Sequence, residues 1–453
     1  MKAQFSLKQI DKKIFLAILA VACALLISAL APRAAHVNFG RPIVDASYPA
    51  TVCPSAITGA TSVAYLPNPK IGVRIIKSSS VKMKSARTYR ANLSNPLFIE
   101  GNSQSTMVAN SSSGWFASSI CEVGAGESWF VGGSAGISSA GYIDLVNSGL
   151  SESTVDLLAY SSQGPEPIYS VVIPPNSEKK VPLDTLAPGE EKIVVHAITR
   201  SGRVTAFYID IRKQGLRSLG ADYVSPATVL SKTVILPGLI NNVSKGAPLS
   251  QVVRVLVPGA VDGSIGATIH SVDGSFSPVG LDNLRVPHGQ VVEVKLPDLT
   301  VSTPFAIVIK SDQPVIAGAL SRTQKGVSDF AWSGAATALP KNEPISINLG
   351  GHTPLISFYS PGKIEVRVSY NLASGKSSSA TIIGDRKVSW RPTGGVNRIE
   401  VQAQSKEVYG ALLYSGATNG GLSYMPLRAG ATLNSSVLPH SDARVISRGG
   451  SAQ

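Results

Sequence analysis

The sequence predicts an all-β protein: three tandem immunoglobulin-like β-sandwiches preceded by a disulfide-containing β region, with one N-terminal transmembrane helix. Three observations predict it. Short segments alternate apolar and polar residues with period two, as half-buried strands do. Strand, glycine turn and proline turn recur in that order at about a hundred residues, the length of one sandwich. An apolar run near the start is nearly long enough to cross lipid as a helix.

The chain has 453 residues, more than one ordinary core accommodates, so several domains are expected. With 15% charged and 43% hydrophobic residues it can bury substantial cores. Gly 42 and Pro 29, spread through the body, fit many short elements joined by turns better than long helices. Residues 1–13 carry Lys8, Lys12 and Lys13 and form a basic cytoplasmic segment. Residues 14–31 are apolar apart from Cys23 and Ser28. As a helix they span about 27 Å. The lysines before the run keep the N-terminus inside and place the body outside. The run is a transmembrane signal anchor or a signal peptide. Ala29-Leu30-Ala31 has the small-x-small pattern of a cleavage site, but Pro32 directly after it favours retention. The expected location is therefore the cell membrane, single-pass with the body extracytoplasmic, or secreted if the segment is cleaved.

A linker, 32–49, leads to a Ser- and Gly-rich N-terminal β region, 50–140, holding Cys53 and Cys121. Two thiols in an oxidising compartment usually pair. The bridge would contribute roughly 4 kcal/mol by the chain-entropy model, the alternative being two buried free thiols.

β-Sandwiches 1, 2 and 3 are expected at 141–236, 237–340 and 341–430, followed by a flexible tail at 431–453. Ile364, Val366 and Val368 alternate with Glu365 and Arg367, and Ile399, Val401 and Ala403 with Glu400 and Gln402. Val292, Val294 and Leu296 do the same around Glu293 and Lys295. Each unit opens with a strand ending at a glycine turn: Leu145–Gly149, Val255–Gly259 and Phe358–Gly362. A proline turn follows at Pro174-Pro175-Asn176, Pro287-His288-Gly289 and Pro392-Thr393-Gly394. Apolar strands close the units at Val204–Phe207, Val315–Gly318 and Val408–Ala411.

Several landmarks stand in order: Cys53-Pro54, Trp115 ahead of Cys121, and Trp129-Phe130-Val131-Gly132-Gly133. Gly202-Arg203-Val204 and Gly220-Ala221-Asp222-Tyr223 follow, then Ser311–Gly318 and Asp329-Phe330-Ala331-Trp332. Together they resemble an actinobacterial exported family known as domain of unknown function 5719. The sequence departs from the family pattern after Tyr223, where Val224-Ser225 precedes Pro226. The resemblance implies an export segment and a cell envelope. It implies no activity, so no catalytic residues carry over.

Chemistry-bearing motifs are few. Gly132-Gly133-Ser134-Ala135-Gly136 matches a nucleophile elbow, but that device needs a strand-to-helix turn, and turn then strand is expected here. The six histidines show no helical zinc spacing, and no C-x-x-C exists. His288 and His352 read as solvated loop residues, and Asp262, Asp273 and Asp282 match no calcium loop. No metal, cofactor or catalytic residue is assigned. The net charge of +13 is diffuse, and no nucleic-acid module is present, so no nucleic-acid partner is expected. Trp129 and Trp332 read as core, and Asp222 and Asp329 as turn or cap residues. Trp390 beside Arg386, Lys387 and Arg391 is the one candidate surface for a ligand.

The reading that results is a non-enzymatic envelope protein acting as spacer or protein-docking scaffold. The alternative is a binding module for cell-wall glycan or another anionic envelope polymer. An unrecognised hydrolase ranks third.

Overall fold

The computed structural model describes residues 17, 19–23, 43–44, 51–77, 81–100, 106–112, 114–227, 229–242, 248–299, 304–324, 328–415, 421–428 and 436–437. The segment at 1–13 lies outside these residues, as do most of 14–31, of the linker at 32–49 and of the tail at 431–453. Residues 17 and 19–23 are helical. Among the described residues no helix is long and apolar enough to cross a membrane. The chain divides into two units, one of residues 1–47 with 433–453 and one of residues 48–432. In the first, Ile43–Val44 pairs antiparallel with Ser436–Val437.

The larger unit is nearly all β, as the alternation requires. Ile364, Val366 and Val368 are buried while Glu365 and Arg367 face out. Its first region holds a four-stranded sheet built on Thr61–Tyr65, Met107–Ser112 and Trp115–Ile120, and a five-stranded sheet built on Thr51–Cys53, Leu97–Ile99 and Gly72–Ile75. The Cys53–Cys121 disulfide forms, closing a sequence separation of 68 residues.

Two four-stranded sheets follow between residues 127 and 224. The opening turn is fixed by Asn147: its Oδ1 accepts from Gly149 N at 2.9 Å, and its amide donates to Ser151 O and Ile173 O. The proline turn closes with Asn176 at φ 49°. An eight-stranded assembly spans 231–334, organised on the 19-residue strand Phe305–Thr323. The strand Ser231–Leu239 pairs with Phe305–Thr323, although the expected boundary at 236 assigned most of it to the preceding unit. A six-stranded sheet spans 344–426, organised on Leu355–Leu372.

Phe358–Gly362 does not form the expected turn. The strand Leu355–Leu372 runs through it, and Ser360, Pro361 and Gly362 bulge against Arg386 of the partner strand Ser377–Trp390. Proline is tolerated there because a bulge withdraws its position from the ladder.

Apolar cores cross the sequence units. Val52, Ile57 and Trp115 of the first region pack with Tyr142, Phe207 and Ile209. Tyr65, Met107 and Phe116 of the same region join the core of the last sheet with Phe358, Leu412 and Met425. The first region therefore touches both the 127–224 sheets and the 344–426 sheet.

Candidate functional site

Three of the segments shared with the resembling family, Trp129–Gly133, Gly220–Tyr223 and Asp329–Trp332, converge on one buried junction. Its centre is Trp332, 1% exposed, on the strand Phe330–Gly334. Its indole N–H donates to Asp210 Oδ2 at 2.9 Å, and its backbone N–H to Asp222 Oδ2 at 2.7 Å. Asp222 lies on Arg217–Val224, so one carboxylate ties the 127–224 sheets to the 231–334 assembly. Its other oxygen accepts from Ser423 of the last sheet at 3.3 Å, and Ser423 Oγ in turn takes Ser118 N of the first region at 3.0 Å. Asp329 accepts from Phe330 N and from Leu422 N at 2.7 Å. Gly220, at φ 117°, lets the chain pass Asp329, because a Cβ there would lie 2.5 Å from Asp329 Oδ1. Burial pushes both carboxyls well above their ordinary range, against the backbone donors that pull them down. Asp222 and Asp329 are thus not simple turn caps; they bridge units far apart in sequence.

The Gly132-Gly133 pair is explained by the same junction. Tyr208, fully buried, donates from its hydroxyl to Gly132 O at 2.8 Å, and its ring occupies the space a Cβ on Gly133 would need. Gly133 also sits at φ 81°, where glycine alone carries no strain. Ser134 is buried, and its Oγ accepts from Gly136 N at 3.1 Å in a local turn. Packing against Tyr208, Val224 and Trp332 accounts for the two glycines of the elbow motif.

Above the junction lies a cavity of about 490 Å³, between the 127–224 sheets and the 231–334 assembly. Its floor is Arg254, 2% exposed, whose guanidinium lies 4.8 Å over the Trp332 ring. Arg254 donates to Gly133 O at 2.7 Å, to Ile193 O at 2.8 Å and twice to Glu293 Oε2. Burial lowers its pKa and Glu293 opposes the shift. Arg212 forks onto Asp210, with Nη2 at 3.0 Å. Burial works against its charge, but Asp210, Tyr208 and Glu293 together outweigh burial and the net shift is upward. Arg322, on the cavity wall, makes no side-chain hydrogen bond or ion pair among the described residues; partial burial and then Arg212 lower its pKa, against Asp210 and Glu293.

The surface expected around Trp390 is only partly assembled. Arg386 and Arg391 are exposed, while Trp390 is half-buried with its ring 5.2 Å from Tyr370. Lys387 is a correction: it is 4% exposed and donates to Ser357 Oγ. The alternation on Ser377–Trp390 does turn Lys387 away from the sheet's own core, but the neighbouring strand Ser231–Leu239 packs over that face. Desolvation pushes its pKa down to about 7. His288 is exposed and pairs with Asp262 at 2.7 Å. His352 is not a solvated loop residue: it is half-buried, 3.2 Å from the Tyr65 hydroxyl and in ring contact with Phe116 and Tyr414. Trp115, Trp129 and Trp332 are buried.

Sequence reasoning did not find Asp210, Arg254, Arg322, Ser118 or Ser423. Arg254, a lone charge amid Val252, Val253, Val255 and Leu256, was the one available signal.

A family described as of unknown function, DUF5719, matches residues 82–383. Comparison with curated proteins finds no match. Among solved structures, an α-L-rhamnosidase of Streptomyces avermitilis, complexed with L-rhamnose, is 9% identical with a TM-score of 0.13. The match covers 78% of this chain and 54% of the rhamnosidase, so the chain spans about half that enzyme's length. A tetra-tandem repeat from the extending region of a large adhesion protein is 13% identical, with 84% and 94% covered and a TM-score of 0.09. At these TM-scores neither likeness carries an argument.

Proposed function

The chain belongs to the DUF5719 family of unknown function, and on that premise we propose that it is a non-enzymatic, membrane-anchored extracytoplasmic envelope protein acting as a protein-docking scaffold. In this reading residues 14–31 tether it, and the strands at 127–224, 231–334 and 344–426 are three immunoglobulin-like sandwiches. The actinobacterial envelope is the expected setting.

One observation carries the proposal. The buried carboxylates Asp222 and Asp329 spend their acceptors on backbone and hydroxyl donors from other units, including Trp332, Leu422 and Ser423. Buried polar groups satisfied in this way fix one arrangement of strands. A fixed arrangement suits a surface that must present partners in register. It suits a spacer less, because the first region contacts the last sheet as well as its sequence neighbour. The Cys53–Cys121 bridge supports an oxidising compartment. Polymer binding around Trp390 has less support, since Lys387 is withdrawn from that surface.

The test uses intact cells producing the full chain. Protease added outside should reach the body beyond residue 48, and crosslinking before extraction should retain a discrete envelope protein. A protease-protected body, or turnover of wall polymer by the purified chain, overturns the proposal.

A further inference from the structure

We infer that the cavity above Trp332 is a binding site for a small hydroxylated oxyanion, of the class of a sugar carboxylate or sugar phosphate, with Arg322 as its principal cation. The inference concerns a different place from the Trp390 surface and does not depend on the scaffold reading.

Arg254 is neutralised by Glu293 at 2.7 Å and Arg212 by Asp210 at 3.0 Å. That leaves Arg322 and Lys192 on the walls, neither with an ion pair among the described residues. Glu191 is the remaining carboxylate on the wall without an ion pair there, and Asp329 is buried beneath with its pKa raised by desolvation. Among the wall side chains without an ion pair, two cations therefore meet one carboxylate. Burial chiefly disfavours the charge on Arg322, Arg212 adds to that, and Asp210 and Glu293 oppose it. An oxyanion supplies the partner this guanidinium lacks, and the guanidinium offers it two parallel donors.

The walls also match the rest of such a molecule. Ser138, Ser250, Glu191 and Glu293 line the same space, and their side chains are of the types that partner ligand hydroxyls. The volume of about 490 Å³ falls within the range of small-ligand sites. The floor is rigid, because Arg254 is held by two carbonyls and a carboxylate over the Trp332 ring. A site fixed in this way binds with little reorganisation.

The test is calorimetric titration of the full chain in neutral detergent at low salt, with glucuronate, glucose 6-phosphate and glucose as probes. Saturable binding of at least one anionic sugar is expected, with none for glucose and with weakening as salt is added. Binding of glucuronate alone assigns a carboxylate, and of glucose 6-phosphate alone a phosphate. Arg322→Gln should weaken binding about tenfold or more while leaving the urea midpoint unchanged. Glucose binding as tightly as the anions overturns the inference. So does silence from both anions, or unchanged affinity in an Arg322→Gln chain of normal stability.

Discussion

Replacing Lys387 by methionine should stabilise this protein, although it removes a hydrogen bond. The lysine is buried, donates to Ser357 Oγ, the side chain against which Gly238 of the Ser231–Leu239 strand packs, and forms no ion pair among the described residues. Burial disfavours its charge and lowers the folded-state pKa to about 7. The unfolded chain keeps the ordinary value of about 10.4. Between these values the unfolded state binds a proton that the native state does not, so stability rises with pH across that window and is lowest below it. At about 1.4 kcal/mol per pH unit the difference approaches 4 to 5 kcal/mol, an upper bound because local relaxation and water entry reduce it. Methionine has similar length and no charge to desolvate. Lys387→Met should therefore gain about 2 to 4 kcal/mol at pH 7, after the lost hydroxyl contact is counted. It should also flatten the rise toward pH 10. The assay is urea unfolding of both full-length chains in the same detergent from pH 6 to pH 10.5. A variant no more stable than the parent at pH 7, with the alkaline rise intact, would refute the reasoning. Adding Ser357→Ala to both chains separates the hydroxyl's contribution from the charge.

The acid side should show the opposite slope. Asp144, fully buried beside Glu178, has its pKa raised by burial first and by Glu178 second. Its stabilising contribution is complete below about pH 4 and is lost as pH rises through the raised native value, so Asp144→Asn should lessen the decline in urea midpoint between pH 4 and pH 8. Replacing both Cys53 and Cys121 by serine should cost roughly 4 kcal/mol, read as a lower midpoint in non-reducing buffer, with the parent falling to match under reductant. Asp222→Ala strands the buried Trp332 N–H and should cost about 2 to 3 kcal/mol in the same measurement, whereas Asp156→Ala, on an exposed pair with Arg200, should cost less than about 1 kcal/mol.

Local signals in this sequence report local structure well. The alternation at Ile364–Val368 gives the right face, and the turns at Pro174, Pro287 and Pro392 lie where proline and a residue of positive φ adjoin. Phe358–Gly362 misleads because a proline and a glycine mark a bulge as readily as a turn. Lys387 misleads for a different reason. Period two tells which face of a sheet turns from its own core, but not whether another unit covers that face. The cavity was illegible on the same grounds: Arg212, Arg254 and Arg322 are spread over 110 residues and meet only through packing between sheets.

The contact between Ser118 and Ser423 bears on how the chain reaches its final state. A polypeptide threaded N-terminus first through a translocation pore would deliver Tyr65, Met107 and Phe116 some three hundred residues before the strand that covers them. Until Met425 emerges, that apolar surface stays open to water and to neighbouring chains. Pairings so distant in sequence form slowly. If the chain is exported as proposed, its folding should therefore depend on a holding chaperone on the far side of the membrane, and truncation just before Leu422 should leave the early strands aggregation-prone.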